Sequence, residues 1–174
     1  MSPLIPLPEN DQLSAEIRET LAKLPPLNVF RMVANAPASF RGFLELATSI
    51  LTKSEFDVRK REIAVLRVAH VTHSNYEWIQ HVAVARRAGV RDEEMAVIAA
   101  EDPVRSLTEE DNLLCRVADE ISREVRLSDE ALEQIVDRYG VRQATELILC
   151  VSYFNMLSRF LESTRVALEQ TAAR

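Results

Sequence analysis

From Ser14 to Glu169 apolar residues return at three- and four-residue intervals, and only 3 of the 174 residues are glycine. That pairing leaves the chain little to build except helices, because turn-rich sheet folds need glycine and period-two alternation. No run alternates convincingly, so we expect an all-α fold. A chain of this length supports one ordinary core. The expected organisation is an extension and short helix over 1–23, followed by a single helical domain over 24–170. Acidic residues outnumber basic ones, 27 to 21, for a formal charge of -6. Nucleic acid is therefore not an expected partner, since phosphate backbones are bound by contiguous positive surface.

Charges interrupt the apolar runs before the roughly 20 residues that span hydrocarbon. Met1 to Pro8 shows no basic segment followed by an apolar stretch and cleavage site. No membrane partner and a cytoplasmic location are the expectations. Cys115 and Cys150 sit in apolar helical contexts and read as small buried hydrophobes rather than a disulfide pair.

The helices can be placed from their punctuation. Ser14 opens a helix to Leu24, stopped by Pro25 and Pro26. An apolar stretch from Leu27 to Ala34 leads to Pro37, at the first turn of a helix carrying Phe40, Phe43, Leu44, Ala47 and Ile50. Thr52 and Glu55 have capping-box spacing and predict the start of the next helix, with Ile63, Leu66 and Ala69 on one stripe. Thr72 to Asn75 interrupts it, and Ser74 with Glu77 predicts a second capping box, opening a helix that stops at Gly89. A short helix over Glu93 to Ala100 follows. Thr108 and Ser128 cap two more, the second ending at Tyr139-Gly140, and a last helix runs from Arg142 to Glu169. Its wide apolar stripe predicts more than one neighbour, and hence an oligomer.

All three histidines, His70, His73 and His81, flank the central interruption. Glu62 lies on the apolar stripe of the first central helix, where a carboxylate needs a physical reason. Counting eleven residues along a regular helix aligns His73 with it to about 20°, whereas His70 diverges. On the second helix Glu77 and His81 are four apart and share a face. An antiparallel hairpin brings His81 level with Glu62. The group Glu62, Ser74, Glu77 and His81 then supplies an acid, a base and a hydrogen-bond partner. Plainer readings stand beside this one: Glu77 capping its own helix, His81 as a surface ion pair with Glu77 or a satisfied core imidazole, Glu62 paired with Arg59 or Arg61, His73 bound to a terminal carbonyl, and Tyr76 and Trp78 as core aromatics. A metal held by His73, Glu77 and His81 is a weak alternative without an HExxH or cysteine set. No phosphate-binding glycine loop is present.

The stretches Arg61-Glu62-Ile63-Ala64-Val65-Leu66-Arg67-Val68-Ala69, Asn75-Tyr76-Glu77-Trp78-Ile79-Gln80-His81 and Ala88-Gly89-Val90 resemble the carboxymuconolactone decarboxylase family, which also contains the alkylhydroperoxidase D-like proteins. Leu24-Pro25-Pro26-Leu27-Asn28 and Tyr153-Phe154-Asn155-Met156-Leu157-Ser158-Arg159-Phe160 resemble its longer bacterial members. The resemblance implies an alkylhydroperoxidase D-like helical fold with a central antiparallel hairpin, assembled as a homo-oligomer, trimer or hexamer.

In the family's peroxidase branch a glutamate works with Cys-x-x-Cys and a histidine four residues further on. Glu62 and His81 match the outer members, but Ser74 and Glu77 stand at the cysteine positions. Neither can form a mixed disulfide, so thiol peroxidase activity is not expected. The decarboxylase branch keeps a glutamate and histidine that Glu77 and His81 resemble. The resemblance then implies carbon-carbon lysis of a small carboxylated lactone or related carbonyl compound without a cofactor. His81, Glu62 and Glu77 are the expected catalytic residues, with Ser74, Tyr76, His73 and Arg67 contacting substrate and Arg67 anchoring a carboxylate. A non-catalytic small-ligand-binding protein and a metal-assisted lyase or hydrolase are the alternatives.

Overall fold

The computed structural model describes residues 5–169. After a 3-10 turn at Asn10–Gln12 come α1 (Ala15–Leu21), α2 (Asn28–Val33), α3 (Pro37–Thr52), α4 (Val58–Val71), α5 (Asn75–Arg87), α6 (Asp92–Ala100), α7 (Glu109–Glu124) and α8 (Asp129–Thr164). Among the described residues there is no strand. Ser14, Thr108 and Ser128 cap α1, α7 and α8 with side-chain oxygens that accept from the third helical amide. Each such cap stabilises its helix by about 1 kcal/mol.

The core is organised around α4, which packs against α5, α6, α7 and α8. Every residue from Arg61 to Ala69 is buried. A helix surrounded on all sides must be apolar on all sides or satisfy its polar groups internally. Ile63, Val65, Leu66 and Val68 meet the first condition, each burial contributing about 2 kcal/mol. Arg67 meets the second. Its side chain donates to both carboxylate oxygens of Asp119, to Asp102, and to the carbonyls of Ile98 and Glu101. It thereby ties α4 to α6 and α7 and has no donor left for a substrate carboxylate, the role expected of it.

Several expected boundaries move. Thr52 is the last residue of α3 rather than a cap, and α4 begins at Val58 behind Asp57, whose carboxylate accepts from the Lys60 amide. Glu55 does not close a capping box; its amide and that of Phe56 donate to Glu146 of α8. The two final helices form one element broken at Gly140, where φ is 73°. Helix α8 stops at Thr164, five residues before the expected Glu169, because Arg165 turns left-handed at φ 55°. The proline-rich start is held where it is described. Asn35 donates to the Pro6 carbonyl and Arg31 to that of Pro8. Residues 1–4 lie outside the described residues.

No helix among the described residues is long and apolar enough to cross a membrane.

Candidate active site between the central hairpin and the last helix

Helices α4 and α5 form the antiparallel hairpin that the sequence predicts, and its turn carries the reason. The Ser74 amide bonds the Ala69 carbonyl and the His73 amide bonds that of His70. His73 itself adopts φ 57°. These are the bonds of a left-handed helix terminus. The reversal lays α5 back along α4 and sets His81 opposite Glu62.

The Glu62 carboxylate is fully buried and bonded at both oxygens. Oε1 accepts from the Arg61 guanidinium at 3.0 Å, and Oε2 meets Nδ1 of His81 at 2.7 Å. Burial pushes the carboxyl toward its neutral form, but the hydrogen bond and charge of His81, with Arg61 behind them, outweigh it and hold Glu62 below the usual carboxylate range. An ionised carboxylate only accepts hydrogen bonds. Nδ1 therefore carries the hydrogen. The other ring nitrogen, Nε2, makes no hydrogen bond to the described residues and is not buried, on a side chain 14% exposed. Phe154 of α8 stands edge-on to the imidazole at 4.8 Å between centroids, which fixes the ring plane.

Glu77 lies one turn before His81 and does not cap α5. It is 2% exposed, and its Oε2 accepts from Ser158 of α8 at 2.8 Å. Among the described residues Oε1 has no partner, nor has the buried Ser74 hydroxyl. Burial pushes the Glu77 carboxyl up to about 8; the Ser158 hydrogen bond opposes that shift and the charge of Glu162 adds to it. One hairpin thus holds two carboxyl groups in opposite states near neutrality, Glu62 ionised and Glu77 protonated. Environments that push like groups apart in this way are characteristic of acid-base sites.

The remaining expected site residues are placed elsewhere. His73 is exposed on its left-handed turn, because α4 ends at Val71 and the regular-helix count that aligned it with Glu62 does not apply. Tyr76 is buried, with its hydroxyl donating to Glu169 and accepting from the Val29 amide. Arg67 is consumed by its clamp. Arg59, considered as a partner for Glu62, instead bonds Asp111 and Glu94. Among the described residues no group of three or more His, Cys, Asp or Glu side chains is placed to hold a metal ion. Cys115 and Cys150 are free and buried. Burial pushes the Cys150 thiol up to about 12, with Glu62 and Glu77 adding to the shift and Arg61 opposing it.

Sequence reasoning missed Ser158 and Phe154 as members of the group. Ser158 did leave a signal, since it is a polar residue on the apolar stripe of α8, the same anomaly that singled out Glu62. A cleft of about 580 Å³ lies away from this group, with Asp102, Asn112, Arg116, Asp119 and Arg123 in its wall. Its Arg116 and Arg123 are already paired with Glu120 and Asp102.

Residues 37–120 match the model of the carboxymuconolactone decarboxylase family. The matched stretch includes both helices of the hairpin. The fold resembles that of an uncharacterised peroxidase-related protein from Ralstonia eutropha JMP134, described as an alkylhydroperoxidase AhpD core, with TM-score 0.81, 16% identity, and 95% and 91% of the two chains covered. A second uncharacterised peroxidase-related protein, from Silicibacter sp. TM1040, aligns with TM-score 0.79 at 16% identity over 95% and 90%. A protein of unknown function from Agrobacterium tumefaciens aligns with TM-score 0.71 at 14% identity over 79% and 95%. No protein of curated function matches the chain. Residues 37–120 thus match the carboxymuconolactone decarboxylase family model, the fold is shared with these three solved structures, and the sequence contains no Cys-x-x-Cys.

Proposed function

We propose that this protein is a general acid-base enzyme that works without a cofactor on a small carboxylated lactone or related carbonyl compound, as a carbon-carbon lyase. The observation that carries this reading is the bridged Glu62 carboxylate, which holds Nδ1 of His81 and leaves Nε2 free. Glu62 sets the ring orientation and tautomer through its hydrogen bond to Nδ1.

In the reaction, the carbon-carbon bond to the substrate carboxylate breaks and carbon dioxide leaves. The bonding pair delocalises through the conjugated system into the lactone carbonyl. The electron pair then returns to carbon as that carbon takes a proton from the Nε2 side of His81. The substrate provides its own electron sink, so the protein must supply position and a proton. Glu77 is the reserve acid one turn before His81 on α5, kept neutral by burial. Ser74 is a polar contact at the start of the same helix. The protein is proposed to act as a homo-oligomer.

Turnover of carboxymuconolactone and related lactone acids by the wild-type protein, His81→Ala and Glu62→Gln tests the assignment. The expected result is turnover by the wild type and a fall of at least about a hundredfold in His81→Ala, the range ascribed to one positioned acid or base. Undiminished turnover in both folded variants would reject it.

A further inference from the structure

The chain after α8 runs as a short strap over 166–169, in which Val166 and Leu168 pack against the core. At its end the Glu169 carboxylate is gripped by donors from two other helices. Oε1 accepts from the Tyr76 hydroxyl and the Asn28 amide, and Oε2 accepts from Gln80 Nε2 at 2.7 Å. None of these donors is charged. Tyr76 and Gln80 are four apart on α5 and so share a face, and they immediately precede Glu77 and His81 in the chain. The Tyr76 phenol keeps its proton firmly, through burial and the hydrogen bond to Glu169, so it remains a donor throughout the physiological range. Glu169 stays ionised, because its hydrogen bonds outweigh the opposing effect of burial.

We propose that Tyr76 and Gln80 form a carboxylate-binding site on α5 that Glu169 occupies from within the chain and that a small free carboxylate takes when Glu169 vacates it. The two side chains offer one O–H and one N–H to the two oxygens of a single carboxylate, a two-point match that does not depend on the Asn28 amide. Among the described residues no opposing cation pairs with the internal occupant, so exchange replaces like bonds with like. The strap sets its advantage: a carboxylate tethered a few residues beyond a helix end competes at an effective concentration on the order of millimolar or more. Removing the Glu169 carboxylate therefore opens the site without dismantling it. This assignment does not depend on His81 chemistry, so its failure leaves the lyase reading standing.

The experiment is a thermal-shift titration with sodium malonate, against sodium chloride at matched ionic strength. The melting temperature of Glu169→Ala is expected to rise saturably with malonate while that of the wild type stays level. Adding Tyr76→Phe to Glu169→Ala is expected to remove the response. Glu169→Asp, whose shorter side chain withdraws the carboxylate while keeping the charge of the strap, is the second variant and is expected to respond as well. Absence of a malonate-specific rise in the folded variants, or an equal rise when Tyr76→Phe is present, would overturn the proposal.

Discussion

Two carboxyl groups on one hairpin separate here by environment alone. Glu62 has a cation on one oxygen and an imidazole on the other, whereas among the described residues Glu77 has a single hydroxyl and an empty acceptor. Their effects on stability run in opposite directions with pH. Glu77 holds its proton in the folded chain up to about pH 8 but loses it near pH 4 when unfolded. The folded state therefore binds more protons across that window, and stability falls as pH rises through it. Glu77→Gln is expected to flatten this decline between pH 5 and 8, which chemical denaturation at several pH values would measure. Glu62, held low, contributes stability that is present above the ordinary carboxylate pKa and is lost on acidification through its folded value. Glu62→Gln leaves Arg61 and His81 without their anion and is expected to cost about 3 kcal/mol, read from the denaturation midpoint at pH 7. Glu62 and His81 were legible in the sequence because a carboxylate on an apolar stripe and an imidazole at hairpin register both violate the local pattern. Arg67 was misread because one-dimensional spacing does not reveal that Asp119 and the end of α6 use up its donors.

Helix starts were the easiest elements to read, since Ser14, Thr108 and Ser128 sit where their oxygens meet the third amide. The exceptions are informative. Ser74 has the spacing of a capping box with Glu77, yet among the described residues its hydroxyl makes no bond, its amide bonds the Ala69 carbonyl, and the Glu77 carboxyl accepts from Ser158 of α8 instead. Ser74→Ala is thus expected to change stability by less than Ser128→Ala, which should lose about 1 kcal/mol, both measured by denaturant unfolding. Thr52 and Glu55 also matched the capping pattern, but Asp57 lies closer to the helix and Glu146 claims the intervening amides. Local spacing identifies candidate caps, while a distant carboxylate decides among them.

Across the whole molecule, α4 brings the site together by burying one residue type after another against four neighbouring helices. The all-helical fold and the central hairpin followed from periodicity and a polar interruption, but the contribution of α8 to the site did not, because Phe154 and Ser158 are paired with α5 only through tertiary packing. The same helix leaves Leu149 and Met156 exposed, as α5 leaves Ile79 and α3 leaves Leu46. Large apolar side chains on three helices are expected to be covered in an assembly. Light scattering at low micromolar concentration should then give a multiple of the 19.7 kDa chain mass, and a monomer would refute it. All of these relations serve one arrangement, in which the buried carboxylate of α4 fixes the proton of the imidazole on α5. Two-bond nitrogen-proton NMR of His81, at a pH where its ring is neutral, reads that arrangement directly. Hydrogen on Nδ1 with a bare Nε2 is the expected result, and a ring protonated at Nε2 with Nδ1 bare would contradict it.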